Sequence, residues 1–173
     1  MMTALLALER GRLEDLVRVS EEAASQPGSS MDLRAGDVFT LEDLLYGLML
    51  VSGNDAAWAI AEHIGNGSAD EFFKLMNQRA KELGAINTRF ENPHGLTDPN
   101  HYTTAFDLAV IAKACMRHPY FKRLVATKEK DVIEAESHVR LSLENTNRLL
   151  WVVPGADGVK TGTTQAAGQC LVA

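Results

Sequence analysis

Hydrophobic residues recur at helical spacing through the first two thirds of the chain. The pattern is clearest in four leucines at i, i+3, i+4 and i+7, which mark one buried helix face: Leu41, Leu44, Leu45 and Leu48. Thr40 precedes them and Asp43 stands three residues later, close to the capping box that opens many helices. The pattern therefore predicts a helix capped by Thr40.

Four further segments carry helical composition and end signals. They are Met1 to Glu9, Asp55 to about Ile64, the segment from Ser68 to Gly84, and a segment that Thr104 and Asp107 open and Pro119 closes. Ser68 and Glu71 form a full capping box. Met1 to Glu9 has no capping residue ahead of it, so we expect it to be the later part of a helix. The residues from Arg34 to Phe39 predict a turn.

The last third of the chain has a different pattern. Asp131 to Leu143 alternates in hydrophobicity and predicts two short paired strands. Val159 to Thr161 and Gly168 to Ala173 predict two more, separated by the turn-prone residues Thr164 to Ala167. Helices followed by strands predict an α+β fold rather than repeated βαβ units. With 173 residues, of which 46% are hydrophobic, we expect one domain over residues 1–173.

Composition narrows the function classes. The formal net charge of -6 and the pI of about 5.3 argue against a nucleic-acid partner, which would require a basic face. No stretch approaches the roughly 20 apolar residues that span a bilayer, so we expect no membrane segment in this chain. Four histidines lack the spacing of a zinc site, which favours structural or surface roles: His63, His94, His101 and His118. We expect Cys115 and Cys170 to be buried small hydrophobes, and Trp58 and Trp151 to lie in the core.

The tripeptide Lys160-Thr161-Gly162 is a candidate binding element. Lys160 supplies a positive charge, Thr161 a hydroxyl group, and Gly162 lets a peptide backbone lie against a strand. Those are the requirements of a site for a peptide carboxylate. The same residues also fit an exposed strand end followed by a turn glycine.

Ser52-x-Asn54 is a weaker candidate when taken alone. The pair lies between two predicted helices, where a Ser ahead of Asn54 and Asp55 is also an ordinary helix cap. Its position strengthens it, since it precedes the Lys160 tripeptide by just over one hundred residues. Ser-x-x-Lys, a Ser-x-Asn element and Lys-Thr-Gly form the signature set of penicillin-binding proteins and class A β-lactamases.

Four longer blocks resemble one family within that group. They are Thr40 to Ala57 (TLEDLLYGLMLVSGNDAA), Asn92 to Leu96 (NPHGL), Asn145 to Trp151 (NTNRLLW) and Asp157 to Gly162 (DGVKTG). Together they resemble the low-molecular-mass penicillin-binding proteins that are serine-type D-alanyl-D-alanine carboxypeptidases. The resemblance runs from Met1 to Ala173, and these blocks argue against a β-lactamase.

The resemblance implies roles for the candidate residues. In that family a serine attacks the D-Ala–D-Ala carbonyl and the lysine one turn later takes its proton. The terminal D-Ala leaves as an acyl-enzyme forms, and water then hydrolyses the acyl-enzyme and releases the shortened peptide. Ser52 would relay a proton to the leaving amine, and Asn54 would hold the substrate amide and orient that lysine. Lys160 and Thr161 would bind the substrate carboxylate, Gly162 would leave room for the substrate backbone, and the N–H of Thr163 would form half of the oxyanion hole. The resemblance implies no cofactor and no metal.

One motif of the signature set has no match. No serine of the chain has a lysine three positions later. In the family this motif leads directly into the helix that corresponds to Met1 onwards, so we expect the sequence to begin just after the lysine. Nucleophile, base and half of the oxyanion hole would then be absent, and the chain alone would be inactive. The alternative is a non-catalytic remnant that binds muropeptide or a partner chain.

The resemblance also sets expectations for the fold and its surroundings. We expect a partial penicillin-binding-protein fold, with helices packed on an antiparallel sheet that lacks its N-terminal strands and its last strand. Such a sheet has unpaired edges, so we expect a marginally stable or aggregation-prone chain. The parent protein would work outside the cytoplasmic membrane on stem peptides ending in D-Ala–D-Ala. β-Lactams would bind covalently only if the missing serine were restored.

Overall fold

A computed structural model describes all residues from Met1 to Ala173 as eight helices and six strands. In chain order the elements are α1 (Met2–Arg10), β1 (Leu16–Arg18), α2 (Glu21–Ala24), β2 (Val38–Thr40), α3 (Leu41–Leu50), α4 (Asn54–Ile64), α5 (Ala69–Leu83), α6 (Ala105–Cys115), α7 (Pro119–Ala126), β3 (Glu129–Ile133), β4 (Arg140–Glu144), α8 (Leu149–Val152), β5 (Lys160–Thr164) and β6 (Gly168–Val172). The α+β prediction is confirmed. No helix combines the length and apolarity that crossing a bilayer requires.

The predicted helix ends are confirmed by their hydrogen bonds. The side chain of Thr40 accepts from the backbone N–H of Asp43, and that of Ser68 from the N–H of Glu71. Gly84 ends α5 in the left-handed region, with φ of 86°, which glycine adopts without steric cost. These local signals act within one turn of chain, which is why the sequence alone reveals them.

Two segments differ from their predictions. Val38 and Phe39 were predicted to lie in a turn, but they belong to β2, which pairs antiparallel with β1 and sets Val17 opposite Phe39. Three-residue strands are too short to show alternation, so their partner defines them. Pro119 does follow α6, but it also begins α7, since proline suits the first turn of a helix.

The core is one continuous cluster of 34 buried residues centred on the helices. α1 lies within it, and its residues from Met2 to Ala7 are all buried. The leucine face of α3 is buried as predicted, with Leu41, Leu44 and Leu45 fully covered. α1 and α3 both pack against α4.

The strands form three separate two-stranded antiparallel sheets. β3 pairs with β4, and the buried carboxylate of Glu134 ties this hairpin to β2 by accepting from the N–H of Val38 at 2.7 Å. β5 pairs with β6, with Lys160 opposite Val172. No residue of β5 or β6 is fully buried. The C-terminal hairpin therefore contributes little to the core.

Candidate active site

Ser52 occupies the junction between α3 and α4 in an unusual backbone conformation. Its φ is 60°, in the left-handed region that non-glycine residues seldom adopt. The next residue, Gly53, donates its N–H to the carbonyl of Gly47 at 3.0 Å. A Cβ at Gly53 would lie 2.8 Å from the carboxylate of Asp55, so this tight junction requires glycine.

Lys160, the first residue of β5, reaches this junction from a point 108 residues away in the sequence. Its ammonium group donates to the hydroxyl of Ser52 and, at 2.7 Å, to the carbonyl of Thr161. Burial lowers the pKa of Lys160 to about 8, because a buried ammonium loses hydration. The amine can therefore exchange a proton near neutral pH.

Asn54 begins α4 and is largely buried. Its side-chain N–H donates to the carbonyl of Pro27 at 2.6 Å, and its backbone N–H donates to the carbonyl of Ser29 at 2.7 Å. The side-chain carbonyl oxygen makes no hydrogen bond within the chain. That oxygen is left available to accept from a ligand N–H.

Thr161, Gly162 and Thr163 continue β5 away from Lys160. Nothing lies within 4 Å of the position that a Cβ would take at Gly162, and Thr163 is exposed. The strand beside Lys160 thus has an open surface on which an extended peptide can lie. The structure brings Ser52 and Lys160 into contact, with Thr161 following on the same strand.

Thr146 connects the α3–α4 junction, which carries Ser52, with β5, which carries Lys160 and Thr161. Sequence reasoning missed this role. Its hydroxyl lies 3.1 Å from the hydroxyl of Thr161 and 3.2 Å from the carbonyl of Leu50, at the end of α3. Its backbone N–H also donates to Leu50 at 3.0 Å. Thr146 lies in one of the quoted sequence blocks, but its partners are too distant in the chain to be read from it.

Two buried asparagines on either side of Thr146 hold the segment that leads to β5. The amide of Asn145 donates to the carbonyl of Thr127 at 2.9 Å, and the amide of Asn147 donates to the carbonyl of Gly158 at 2.8 Å. Buried amides that are hydrogen-bonded to the backbone on both sides fix the direction of the chain. By fixing Gly158, Asn147 also positions Lys160, which follows two residues later in the chain.

A half-open cavity of about 550 Å³ adjoins Thr146. It is lined by Glu144, Asn145, Thr146, Arg148, Trp151 and Val152. The prediction that Trp151 lies in the core is wrong, since 41% of it is exposed and it forms part of this wall. The prediction for Cys170 is also wrong, because it is exposed in β6, whereas Cys115 is buried as predicted.

The N-terminal end of α1 is buried and lies within electrostatic range of Lys160. Burial lowers the pKa of the Met1 amino group, and the nearby charge of Lys160 lowers it further. The hydroxyl of Thr3 donates to the carbonyl of Pro93 at 2.5 Å, which fixes this end of the helix against the loop after α5. This hydrogen bond therefore fixes the start of α1 against the loop of residues 85–104.

The remaining candidates have structural partners. His94 stacks on Trp58, with ring centroids 6.0 Å apart, and one of its ring nitrogens contacts Gln26 at 3.1 Å. Burial lowers the pKa of His94 to about 4, so the ring is neutral at physiological pH. No group of three or more His, Cys, Asp or Glu side chains is arranged to hold a metal ion.

Residues 1–173 match the model of the D-alanyl-D-alanine carboxypeptidase family. The chain is 45% identical over 177 residues to the D-alanyl-D-alanine carboxypeptidase DacF of Bacillus subtilis, a match that covers 99% of this chain and 45% of DacF. It is 38% identical to DacC of Escherichia coli, covering 97% of this chain and 42% of DacC. The chain thus spans less than half the length of either relative.

The fold is similar to that of a solved DD-transpeptidase from Streptomyces. The two superpose with a TM-score of 0.90 at 34% identity, over 98% of this chain and 71% of the solved one. The expected penicillin-binding-protein fold is confirmed for the part of it that these residues cover.

Proposed function

The chain belongs to the D-alanyl-D-alanine carboxypeptidase family, and from that premise we propose that its Ser52–Lys160 site binds the D-Ala–D-Ala end of a peptidoglycan stem peptide. Residues 1–173 then form part of a catalytic domain that releases the terminal D-Ala. The parent protein works outside the cytoplasmic membrane, where this substrate is found.

The contact between the Lys160 ammonium and the Ser52 hydroxyl carries this proposal. A partly buried lysine beside a serine, next to an open strand, provides a cation for a carboxylate and a hydroxyl that can pass a proton. Thr161 adds a second hydroxyl on the same strand, already oriented by Thr146. A simple strand end would not require a lysine to be buried in this way.

Each residue has a distinct role in the proposed reaction. Lys160 and Thr161 bind the terminal carboxylate, and Gly162 leaves room for the peptide backbone. Ser52 passes a proton to the leaving amine, while the free amide oxygen of Asn54 accepts from a substrate N–H. The N–H of Thr163 stabilises the oxyanion of the tetrahedral intermediate.

The nucleophile of this reaction has no candidate within the 173 residues. No serine is followed three positions later by lysine, so both groups would have to be supplied from outside the described residues. A second candidate function is peptide binding without catalysis, which the Lys160 ammonium and the open strand beside it could perform without a nucleophile.

Labelling with a fluorescent penicillin tests the proposal. We expect no covalent label on the 173-residue chain, and a label on a version extended upstream through Ser-x-x-Lys. In the extended version, changing the motif serine to alanine should abolish labelling, and Lys160→Ala should slow it at least tenfold by removing carboxylate recognition. Labelling of the 173-residue chain would show that a nucleophile had been overlooked.

The second arm of the test uses a peptide ending in D-Ala–D-Ala. The extended version should release D-alanine, whereas the 173-residue chain should bind the peptide without releasing any. An extended version that takes no label and cleaves nothing would exclude the enzymatic proposal. Peptide binding that survives in the same protein would favour the non-catalytic role.

A further inference from the structure

The conformation of Ser52 requires an explanation from its surroundings. A serine at φ of 60° is less stable locally than one in the usual regions, and such residues persist where the surrounding structure holds them. On the α3 side, the bond from Gly53 to Gly47 holds the junction. On the α4 side, Asn54 and Asp55 stabilise the junction through hydrogen bonds to the loop of residues 27–33.

Asp55 makes most of the hydrogen bonds between this loop and the start of α4. Its side chain is buried, with 1% of the residue exposed, and no cation pairs with it. The carboxylate accepts from the hydroxyl of Ser30 at 2.5 Å and from the backbone N–H groups of Met31 and Leu33 at 3.1 Å each. It also accepts from Ala56 in its own helix at 2.8 Å. A buried carboxylate satisfied by donors from one loop fixes that loop's position.

Asn54 attaches the same loop at its other end. It contacts the carbonyl oxygens of Pro27 and Ser29, as described above. Gly28 lies between them at φ of 93°, and a Cβ there would come within 2.8 Å of the Asn54 amide. The loop is therefore shaped to receive the two residues that follow the Ser52–Gly53 turn.

We propose that Asp55 is a positioning residue for the site. By clamping residues 27–33 onto the start of α4, it holds Ser52 in the left-handed conformation in which its hydroxyl meets the Lys160 ammonium. The assignment of a proton-relay role to Ser52 rests on the proposed function, but the geometric claim about Asp55 does not.

The chain offers a matched control for a merely structural carboxylate. Asp107 is also 1% exposed and also lies in the first turn of a helix. Its carboxylate accepts from the N–H of Asn87 and the hydroxyl of Thr88, at 2.8 Å each. Asp55→Asn and Asp107→Asn each set an amide N–H against buried donors, so both should lower the melting temperature. Of the two carboxylates, only that of Asp55 binds the loop that packs against the Ser52–Gly53 turn.

The test follows the side-chain signal of Lys160 by NMR in the chain with ¹³Cε-labelled lysine, assigned by its loss in Lys160→Arg. Ser52→Ala removes the hydroxyl and should move the Lys160 chemical shift and the pH midpoint of its titration. Asp55→Asn should move both in the same direction and at least half as far. Asp107→Asn should leave both at the wild-type values. The Met1 amino group, which also lies near Lys160, is present in every variant and cancels from the comparison.

A double variant sharpens the result. Asp55→Asn should add nothing to the Lys160 change in a Ser52→Ala background, because both act on the same contact. If Asp55→Asn does not fold, Ser30→Ala removes one donor to the carboxylate and should produce a smaller change in the same direction.

Three outcomes would overturn the proposal. These are an unchanged Lys160 signal in Asp55→Asn or in its substitute Ser30→Ala, an equal change in Asp107→Asn, and an unchanged signal in Ser52→Ala itself. The measurement contains no substrate, so failure of the chain to bind D-Ala–D-Ala peptides would count against the proposed function alone. Peptide binding together with an unchanged signal in Asp55→Asn would count against the positioning role alone.

Discussion

The two halves of the candidate site belong to regions of very different packing. Ser52 and Asn54 lie in the helical part, residues 2–126, which contains all of the 34-residue core cluster except Val132, Leu143 and Val159. Lys160 and Thr161 lie in the C-terminal hairpin, residues 160–172, where no side chain is fully buried. One half of the site is therefore fixed by a packed core, and the other depends on a few specific contacts.

Val172 of β6 packs against the core cluster, and the other contacts that position Lys160 and Thr161 are polar. The Lys160 ammonium meets Ser52, the hydroxyls of Thr146 and Thr161 meet each other, and Asn147 holds the carbonyl of Gly158. Hydrogen bonds of this kind each stabilise a fold by only about 1 kcal/mol net. The comparison predicts that changes in the helical part alter global stability, while changes around the hairpin mainly alter the site.

The same substitution in the two regions should give the largest contrast. Leu44 is 0% exposed in α3, whereas Leu171 is 53% exposed in β6. Leu44→Ala should lower the free energy of unfolding by about 2–5 kcal/mol, because it leaves a cavity in the core. Leu171→Ala should change it by less than about 0.5 kcal/mol. Urea unfolding of both variants measures the difference, and equal losses would refute the contrast.

The next largest effect should be that of the Lys160 charge on the free energy of unfolding, which depends on pH. Burial lowers its pKa from 10.5 to about 8, so the folded state binds this proton less tightly than the unfolded chain. Below pH 8 both states are protonated, and the cost of partly desolvating the ammonium group destabilises the fold in full. Between pH 8 and 10.5 the unfolded chain holds more protons, so stability rises with pH.

Lys160→Met removes this penalty. It should raise the free energy of unfolding by about 1–2 kcal/mol at pH 7, after allowance for partial solvent access, with the gain fading towards pH 10.5. Chemical unfolding at several pH values measures it, and Lys122→Met, at an exposed lysine, is the matched control and should change little. A loss of stability at pH 7 in Lys160→Met would mean that its hydrogen bonds outweigh its desolvation.

The hydroxyl of Thr146 should give the smallest effect on stability. Thr146→Val removes its side-chain bonds to Thr161 and Leu50 but keeps the shape of the side chain, and should cost about 0.5–1 kcal/mol. The hairpin should loosen more than the helices, which amide hydrogen exchange can resolve. Faster exchange in β5 with unchanged exchange in α3 would support the contrast, and uniform acceleration would not.

Local signals in the sequence were enough to locate most helices, because capping and periodicity act within one or two turns. Thr40, Ser68 and Gly84 have the roles their residue types predict. β1 and β2 escaped prediction because three residues show no periodicity and exist as strands only through their mutual pairing. The sequence also did not predict that Trp151 and Cys170 are exposed, because burial depends on neighbouring residues that composition does not reveal.

By itself the sequence determined the family, the α+β order of elements and the candidates Ser52, Asn54, Lys160, Thr161, Gly162 and Thr163, because these are properties of residue type and spacing. Only the tertiary structure decided that Ser52 adopts a left-handed conformation, that Thr146 links the two halves, and that Asp55 clamps the loop beside them. These features arise from hydrogen bonds between residues separated by about twenty to over one hundred positions. No local pattern encodes such partners, since folding alone brings them within reach of one another.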